Sequence, residues 1–182
     1  MATHHDMIQG RVHKYGDNID TDVIIPARYC TAFTERELAP HCLEDLDLDF
    51  VKKVQPGDII VAGRNFGCGS SRENAPIAIK GAGVSCVIAK SFARIFYRNS
   101  INIGLPILES DEAVDDAMPG DQLVVDLANG TVKNVTQSKS YQVPPFPDII
   151  QQIIKLGGMV EFSKRRIAER KGGLRPSSTD NR

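Results

Sequence analysis

Residues 63–73 combine side chains that could bind or transform a small anion. The run Gly-Arg-Asn-Phe-Gly-Cys-Gly-Ser-Ser-Arg-Glu contains two hydroxyls, one thiol and two guanidinium groups among three glycines. Glycine allows a ligand to approach the backbone, and the start of a helix presents free N–H groups that attract anions. Arginine suits bidentate binding of carboxylate or phosphate. The segment predicts a carboxylate or phosphate site, although a glycine-rich turn whose serine caps a helix explains the same residues.

Several well-known glycine-rich motifs do not fit this segment. A P-loop needs a lysine before its hydroxyl residue, whereas Ser70 follows Gly69 directly. Arg72 stands where a dinucleotide fingerprint needs its third glycine, and the Gly-x-Ser-x-Gly pattern of a nucleophile elbow is absent. Cys68 near a helix start and a guanidinium could have a lowered pKa, but it also suits a small packing residue. Glu73 could pair with Arg72 or Arg64.

The surrounding residues predict a parallel α/β unit that positions this segment. An apolar strand at 59–63 precedes it, a helix at 73–81 follows, and a second apolar strand lies at 84–89. Other predicted strands lie at 8–13 and 105–108, with a hairpin at 120–135 around Asn129-Gly130. Predicted helices span 91–100, 148–156 and 160–170, and residues 34–44 form one helix or two short turns because of Pro40. The acidic stretches 44–49 and 109–116 are predicted to be exposed loops.

Composition narrows the function further. The 182 residues carry a net charge of −1, so no global field favours nucleic acid or an anionic membrane. The stretch 164–182 has a net charge of +5, which suits an acidic partner or, more simply, a solvated helix face. No apolar stretch is long enough to span a membrane. We expect a disordered N-terminus (1–7), one domain (8–170) and a disordered tail (171–182).

The four cysteines do not suggest a metal centre or a disulfide framework. They form no Cys-x-x-Cys pair and no Cys/His cluster with ligand spacing. We therefore predict no metal on this chain and reduced thiols in a cytoplasmic protein. The cysteines are Cys30, Cys42, Cys68 and Cys86.

Three segments together resemble the swivelling domain of the aconitase superfamily. They are residues 16–26 (Gly-Asp-Asn-Ile-Asp-Thr-Asp-Val-Ile-Ile-Pro), residues 63–75 centred on Gly-Cys-Gly-Ser-Ser-Arg-Glu, and residues 91–106 beginning Ser-Phe-Ala-Arg-Ile-Phe. Their order and spacing in a 20.0 kDa chain are similar to the small subunits of isopropylmalate isomerases, over about residues 8–170. The resemblance implies a single α/β domain with the three-layer β/β/α architecture of an aconitase C-terminal domain.

The resemblance also implies a divided active site. A separate large subunit would hold a four-iron–four-sulfur cluster, and this chain would bind no cofactor. Ser70 matches the catalytic base, Ser71 and Arg72 match the contacts to a substrate carboxylate, and Asp22 matches an acidic residue at the rim, although an Asx turn also explains Asp22. The implied reaction, in leucine biosynthesis, dehydrates 2-isopropylmalate and rehydrates the product to 3-isopropylmalate. Iron would withdraw the hydroxide, Ser70 would remove the proton, and the small subunit would swing to close the site.

Residues 26–34 correspond in that family to the loop that selects the variable group of the substrate. Homoaconitase-type proteins often carry Tyr-Leu-Arg-Thr there and isopropylmalate types carry apolar residues, whereas this chain reads Tyr-Cys-Thr-Ala and matches neither. The absent arginine disfavours a substrate with a third carboxylate and leaves small alkylmalates open. The expected specificity residues are Arg28, Tyr29, Cys30 and Thr31. We also predict that residues 27–36 are mobile when the large subunit is absent.

Three other functions fit parts of the sequence. The chain could serve a related hydro-lyase that acts on dimethylmalate, methylmalate or homoaconitate. It could be a phosphate- or RNA-binding module, although the basic tail lacks interleaved aromatic residues. It could be a purely structural assembly partner, in which case replacing Ser70 by alanine would leave turnover intact.

Overall fold

The computed structural model describes residues 7–173, which form seven strands and eight α-helices. Strand β1 (Met7–Lys14) joins two halves of one sheet: residues 7–11 pair antiparallel with β5 (Gln122–Asp126), and residues 12–14 pair parallel with β2 (Ile59–Ala62). Gly10 lies where the halves meet, and a Cβ atom there would come within 2.0 Å of the Gly57 carbonyl oxygen. This approach requires glycine.

The parallel half of the sheet has the order β4 (Ile107–Glu109), β3 (Cys86–Ala89), β2 and β1. Strands β2, β3 and β4 are joined in register, and every residue of β2 and β3 is buried. Continuous apolar runs of this kind occur where both faces of a parallel sheet are covered. The strands predicted at 59–63, 84–89 and 105–108 are confirmed, as is the α/β fold class.

The antiparallel half continues from β5 through β6 (Thr131–Asn134) to β7 (Lys139–Gln142). The β5–β6 hairpin confirms the turn predicted around Asn129-Gly130, where Gly130 has a φ of 64°. Strand β7 was not predicted. Only Tyr141 of its four residues is buried, so the strand lacks a clear alternation of apolar and polar side chains.

The helices are short until the end of the chain. They are α1 (Thr21–Ile24), α2 (Glu35–Leu38), α3 (Phe50–Lys53), α4 (Asn74–Gly81), α5 (Arg94–Asn102), α6 (Asp111–Asp116), α7 (Asp148–Lys155) and α8 (Met159–Gly173). The Thr34 hydroxyl caps α2 by accepting from the N–H of Glu37 at 3.3 Å. A 3-10 turn at Ala39–His41 follows α2, which confirms the alternative of two short turns around Pro40. Among the described residues, no helix is long and apolar enough to cross a membrane.

The helix predicted at 91–100 is present as α5, but its predicted start was wrong, and so was the prediction that the acidic stretch 109–116 is a loop throughout. Helix α5 begins at Arg94 rather than Ser91, because Phe92 forms a parallel bridge with Phe66 before the helix starts. The acidic stretch 109–116 is not a loop throughout: α6 occupies its second part, capped by the Ser110 hydroxyl, which accepts from Ala113 N–H at 3.2 Å. Acidic side chains in the first turn suit the positive end of a helix.

The first strand and the last helix extend slightly beyond the expected domain limits of 8 and 170. Strand β1 begins at Met7, and α8 continues to Gly173. The remainder of the predicted disordered segments, residues 1–6 and 174–182, lies outside the described residues. Part of the basic charge of α8 pairs within the helix, Lys164 with Glu161 at 2.7 Å and Arg165 with Glu169 at 3.0 Å.

Candidate active site

Three loops that follow parallel strands meet at one edge of the sheet. They are residues 15–20 after β1, residues 63–73 after β2 and residues 90–93 after β3. The carboxyl ends of parallel strands share an edge, and ligands bind there in open α/β sheets. Backbone hydrogen bonds join the second loop to the third, from Phe66 N–H to Ser91 at 3.0 Å and from Ala93 N–H to Phe66 at 2.9 Å. The three segments on which the family resemblance rested are therefore adjacent in space.

The first and second loops run side by side in parallel. Their backbone hydrogen bonds are Asn18 N–H to Arg64 at 2.8 Å, Gly67 N–H to Ile19 at 2.7 Å, and Thr21 N–H to Cys68 at 2.8 Å. At the start of this pairing the Asn65 amide donates to the Asn18 side-chain oxygen at 2.9 Å. The pairing places the Asp-Thr-Asp sequence of residues 20–22 beside residues 68–70.

Each of the three residues 20–22 has a separate contact. The Asp20 carboxylate caps α1 by accepting from Val23 N–H at 2.8 Å. The Thr21 hydroxyl donates to the backbone carbonyl of Ser70 at 2.9 Å. The Asp22 carboxylate accepts a hydrogen bond from the Arg72 guanidinium. Asp20, rather than Asp22, therefore binds the local backbone, as the N-cap of α1, while the Asp22 side chain contacts the glycine-rich segment through Arg72.

The pairing of Arg72 differs from one sequence expectation. Arg72 contacts Asp22, and Arg64 lies 3.6 Å from Asp111, so the predicted pairing of either arginine with Glu73 was wrong. The Arg72 side chain is 18% exposed, whereas that of Asp22 is 51% exposed. Arg72 is therefore held against the protein at the edge of an accessible surface, where its remaining N–H groups can meet a ligand.

Ser70 and Ser71 are both exposed, in the loop that ends at Glu73, the N-cap residue of α4. In the described part of the chain their hydroxyls have no hydrogen-bond partner, and the backbone N–H groups of residues 70–73 have no acceptor. Free backbone N–H groups can donate hydrogen bonds to a negatively charged ligand. Two hydroxyls, several N–H groups and the Arg72 guanidinium together form a surface suited to a carboxylate.

The lowered pKa considered for the Cys68 thiol was wrong. Burial raises the pKa of the Cys68 thiol, and the nearby Asp20 carboxylate raises it further. Burial also raises the pKa of Cys42 and Cys86. Among residues 7–173, no group of three or more His, Cys, Asp or Glu side chains could hold a metal ion. The described part of this chain therefore does not fit an iron–sulfur cluster.

The predicted specificity segment begins in a 3-10 turn at Ala27–Tyr29. Arg28 reaches away from the segment to two carboxylates, Asp45 at 2.7 Å and Glu44. Tyr29 stacks on the His41 ring with the centroids 3.7 Å apart. Within residues 28–31, the single cation is therefore already engaged by two acidic partners.

A buried asparagine links the specificity segment to the glycine-rich segment. The Asn74 side chain, at the first position of α4, donates a hydrogen bond to the Ala32 carbonyl. Asn74 is 7% exposed, while Thr31 and Phe33 on either side of Ala32 are exposed. Sequence reasoning missed both Asn74 and Thr21. A polar residue at a helix start was the available signal, but neither partner was apparent from the sequence.

Comparison with known proteins is consistent with this geometry. Residues 34–113 match the family model of the aconitase C-terminal domain. The chain is 66% identical over 158 residues to the 3-isopropylmalate dehydratase small subunit of Caldicellulosiruptor bescii, covering 87% of this chain and 95% of that protein. It is 65% identical over 158 residues to the small subunit from Clostridium acetobutylicum, covering 87% and 97%.

A solved structure shows the same similarity in three dimensions. The crystal structure of 3-isopropylmalate dehydratase from Methanocaldococcus jannaschii superimposes with a TM-score of 0.86 at 44% identity. The match covers 92% of this chain and 99% of that one. Sequence and fold therefore point to the same group of proteins over nearly the whole chain.

Proposed function

This chain belongs to the small subunits of 3-isopropylmalate dehydratase, and on that premise we propose that Ser70 is its catalytic base. The enzyme is a hydro-lyase of leucine biosynthesis, and the small subunit acts together with a large subunit. The reaction interconverts 2-isopropylmalate and 3-isopropylmalate through dehydration and rehydration. The proposal rests on one observation: Ser70, Ser71, Arg72 and Asp22 lie together at an open edge of the sheet.

Ser70 would act as an alkoxide. Its oxygen accepts the proton from the carbon next to a substrate carboxylate, the electrons of that C–H bond form the double bond, and the hydroxyl group on the adjacent carbon departs. In the rehydration step Ser70 returns the proton. A serine hydroxyl is a very weak acid, so the site must stabilise its anion through hydrogen-bond donors and positive charge. The free backbone N–H groups of residues 70–73, in the loop before α4, provide the donors, and Arg72 provides the positive charge.

Substrate binding would fall to the neighbouring residues. Arg72 offers N–H groups to one substrate carboxylate, and Ser71 adds a hydroxyl donor. Asp22 would hold the guanidinium in place at the rim. We propose that the large subunit holds the four-iron–four-sulfur cluster, which would supply a Lewis acid for the departing hydroxyl group.

The substrate assignment within the family is supported by Arg28. Because Asp45 and Glu44 already bind this cation, and Thr31 is neutral, residues 28–31 offer no free positive charge to a third carboxylate. An apolar alkyl group therefore suits the segment better than the distal carboxylate of a homocitrate-like acid. Dimethylmalate, methylmalate and homoaconitate remain the competing substrates to be tested.

We further propose that the enzyme works in the cytoplasm and that this chain engages the large subunit and an alkylmalate, without nucleic acid or membrane. The free cysteines Cys30, Cys42, Cys68 and Cys86 suit a reducing compartment. Binding of RNA by the isolated chain that weakens steeply with salt would contradict the nucleic-acid part of this proposal.

The decisive experiment is anaerobic turnover of 2-isopropylmalate by this chain mixed with a reconstituted large subunit, alongside each chain alone. We expect activity only in the mixture, loss of turnover in Ser70→Ala with substrate binding retained, and normal turnover in the control Ser140→Ala on β7. Full activity of Ser70→Ala would instead indicate a purely structural subunit. Turnover of another malate derivative but not of isopropylmalate would overturn the substrate assignment while leaving the base in place.

A further inference from the structure

Thr21 holds the backbone on both sides of Gly69. Its N–H donates to the Cys68 carbonyl at 2.8 Å, and its hydroxyl donates to the Ser70 carbonyl at 2.9 Å. Thr21 is 2% exposed, so water does not compete for these bonds. The orientation of the peptide group after Ser70 therefore depends on a single buried hydroxyl.

That orientation determines where the next N–H group points. In a trans peptide the carbonyl and the N–H point in opposite directions. Because the Ser70 carbonyl points toward the buried Thr21 hydroxyl, the N–H of Ser71 points away from Thr21, and Ser70 and Ser71 both lie at the exposed surface. In the described part of the chain this N–H has no acceptor. It is thus available to a negative charge at that surface.

Gly69 makes the arrangement possible. Its φ of 88° lies in the left-handed region, and a Cβ atom there would sit 3.5 Å from the Thr21 hydroxyl oxygen. The turn therefore packs directly against Thr21. A backbone conformation of this kind favours glycine and is maintained by the contacts around it.

We propose that Thr21 is a positioning residue that aims the Ser71 N–H at the negative charge on the Ser70 oxygen. The inference rests on the proposed role of Ser70 as the base. A hydrogen bond to the charged form of a group lowers its pKa, so Thr21 would favour the alkoxide indirectly. Because Thr21 is buried, a substrate at the surface would not contact it, and its loss should alter turnover rather than binding.

The test compares Thr21→Val with Thr21→Ser in the complete two-subunit enzyme. Valine keeps the shape and the backbone N–H of residue 21 but lacks the hydroxyl, whereas serine keeps the hydroxyl. For valine we expect kcat to fall about 10- to 100-fold, below the cost of deleting an oxyanion donor outright, with KM within about threefold of wild type. The acid limb of the kcat–pH profile should move to higher pH, and serine should restore both parameters.

Three controls keep the outcomes separable. Thermal unfolding and size-exclusion chromatography with the large subunit establish that each variant folds and assembles. If the valine variant does not assemble, Thr21→Cys, whose thiol is a weak donor of similar size, replaces it. Ser70→Ala is measured in parallel, because an active Ser70→Ala enzyme would reject the base itself.

With Ser70→Ala inactive, two results would overturn the inference about Thr21 alone. One is a valine variant whose kcat and pH profile match those of wild type. The other is a change confined to KM, which would mean that the Ser71 N–H binds the substrate carboxylate rather than the charge on Ser70.

Discussion

The Arg72 guanidinium donates a hydrogen bond to the Asp22 carboxylate, fifty positions earlier in the chain. The contact joins the loop after β1 to the loop after β2 at the surface that carries Ser70. Before substrate binds, the Asp22 carboxylate is the negative partner of the Arg72 guanidinium. A substrate carboxylate would bind the same guanidinium beside Asp22. The pair thus fixes the direction of the guanidinium before substrate arrives, and its two members can be tested separately.

Removing Asp22 should loosen Arg72 without removing its charge. We expect Asp22→Ala to lower kcat/KM about tenfold to a hundredfold, because the guanidinium must then be ordered by the substrate itself. Asp22→Asn should lower kcat/KM less, since the asparagine side-chain oxygen still accepts a hydrogen bond from Arg72. Steady-state kinetics of the two-subunit enzyme would check this. An alanine variant with a lower KM than wild type would show that Asp22 competes with the substrate.

Replacing Arg72 by lysine keeps the charge but removes the planar pair of donors. We expect Arg72→Lys to raise KM for 2-isopropylmalate at least about tenfold, a loss of about 1.4 kcal/mol or more in binding. Arg64→Lys is the matched control, because Arg64 is exposed and pairs with Asp111 at the same edge. Equal effects of the two substitutions would argue that only the overall charge of the edge matters.

The sequence allowed the parallel half of the fold to be predicted for a physical reason. Strands β2 and β3 are apolar along their whole length because both faces are buried, so they are readable without knowledge of their neighbours. Strand β7 was not predicted, because only Tyr141 of its residues is buried and the strand shows no clear alternation. The start of the predicted 91–100 helix was wrong, because Phe92 pairs with Phe66, 26 positions earlier. Local patterns do not encode such pairings.

The candidate site shows the same division. Ser70, Ser71 and Arg72 were identifiable because they lie close together in sequence beside glycines. The role of Thr21 was not, because its partner Ser70 is 49 positions away and a buried threonine between two aspartates has no distinctive signature. Likewise the partners of Arg72 and Arg64 depend on how the loops pair, which is why Glu73 was a plausible but wrong choice.

The hydrogen bond from Asn74 to Ala32 should restrain the specificity segment. We expect Asn74→Ala to speed backbone hydrogen exchange at residues 30–33 and to raise KM several-fold, with a smaller effect on kcat. Hydrogen exchange by mass spectrometry, with and without the large subunit, measures the first effect and also tests the predicted mobility of residues 27–36 in the isolated chain.

Asn134→Ala is a matched control for Asn74→Ala. Asn134 is also buried, at 1% exposure, but it donates to Asp121 at 2.7 Å and lies on β6 in the antiparallel half of the sheet. The Asn134→Ala variant should be less stable than wild type, but its backbone hydrogen exchange at residues 30–33 should be unchanged. Unchanged exchange in Asn74→Ala would mean that Asn74 supports only the fold.

The stability of the fold should depend on pH through Asp58, which lies where β2 begins and is 5% exposed. Burial alone would raise the pKa of Asp58, but it accepts hydrogen bonds from His13 at 2.8 Å, from Gln55 N–H at 2.9 Å and from Arg11 N–H at 3.1 Å. These bonds outweigh burial and hold the pKa below its usual value. The folded state therefore favours the charged carboxylate.

A depressed pKa fixes the sign of the effect. The stabilisation is fully present above the pKa of about 3.9 that Asp58 has in the unfolded chain, and it is lost as pH falls through the lower pKa of the folded state. We expect Asp58→Asn to lower the free energy of unfolding by about 2 kcal/mol at neutral pH, because amide oxygens accept these bonds less strongly than a carboxylate. This deficit in the free energy of unfolding should narrow in acid.

Urea unfolding of the variant, of wild type and of the exposed control Asp148→Asn at about pH 7, 5 and 3.5 would measure the deficit. A deficit that stays constant to the lowest pH would mean that shape and packing around Asp58, rather than its charge, account for the loss.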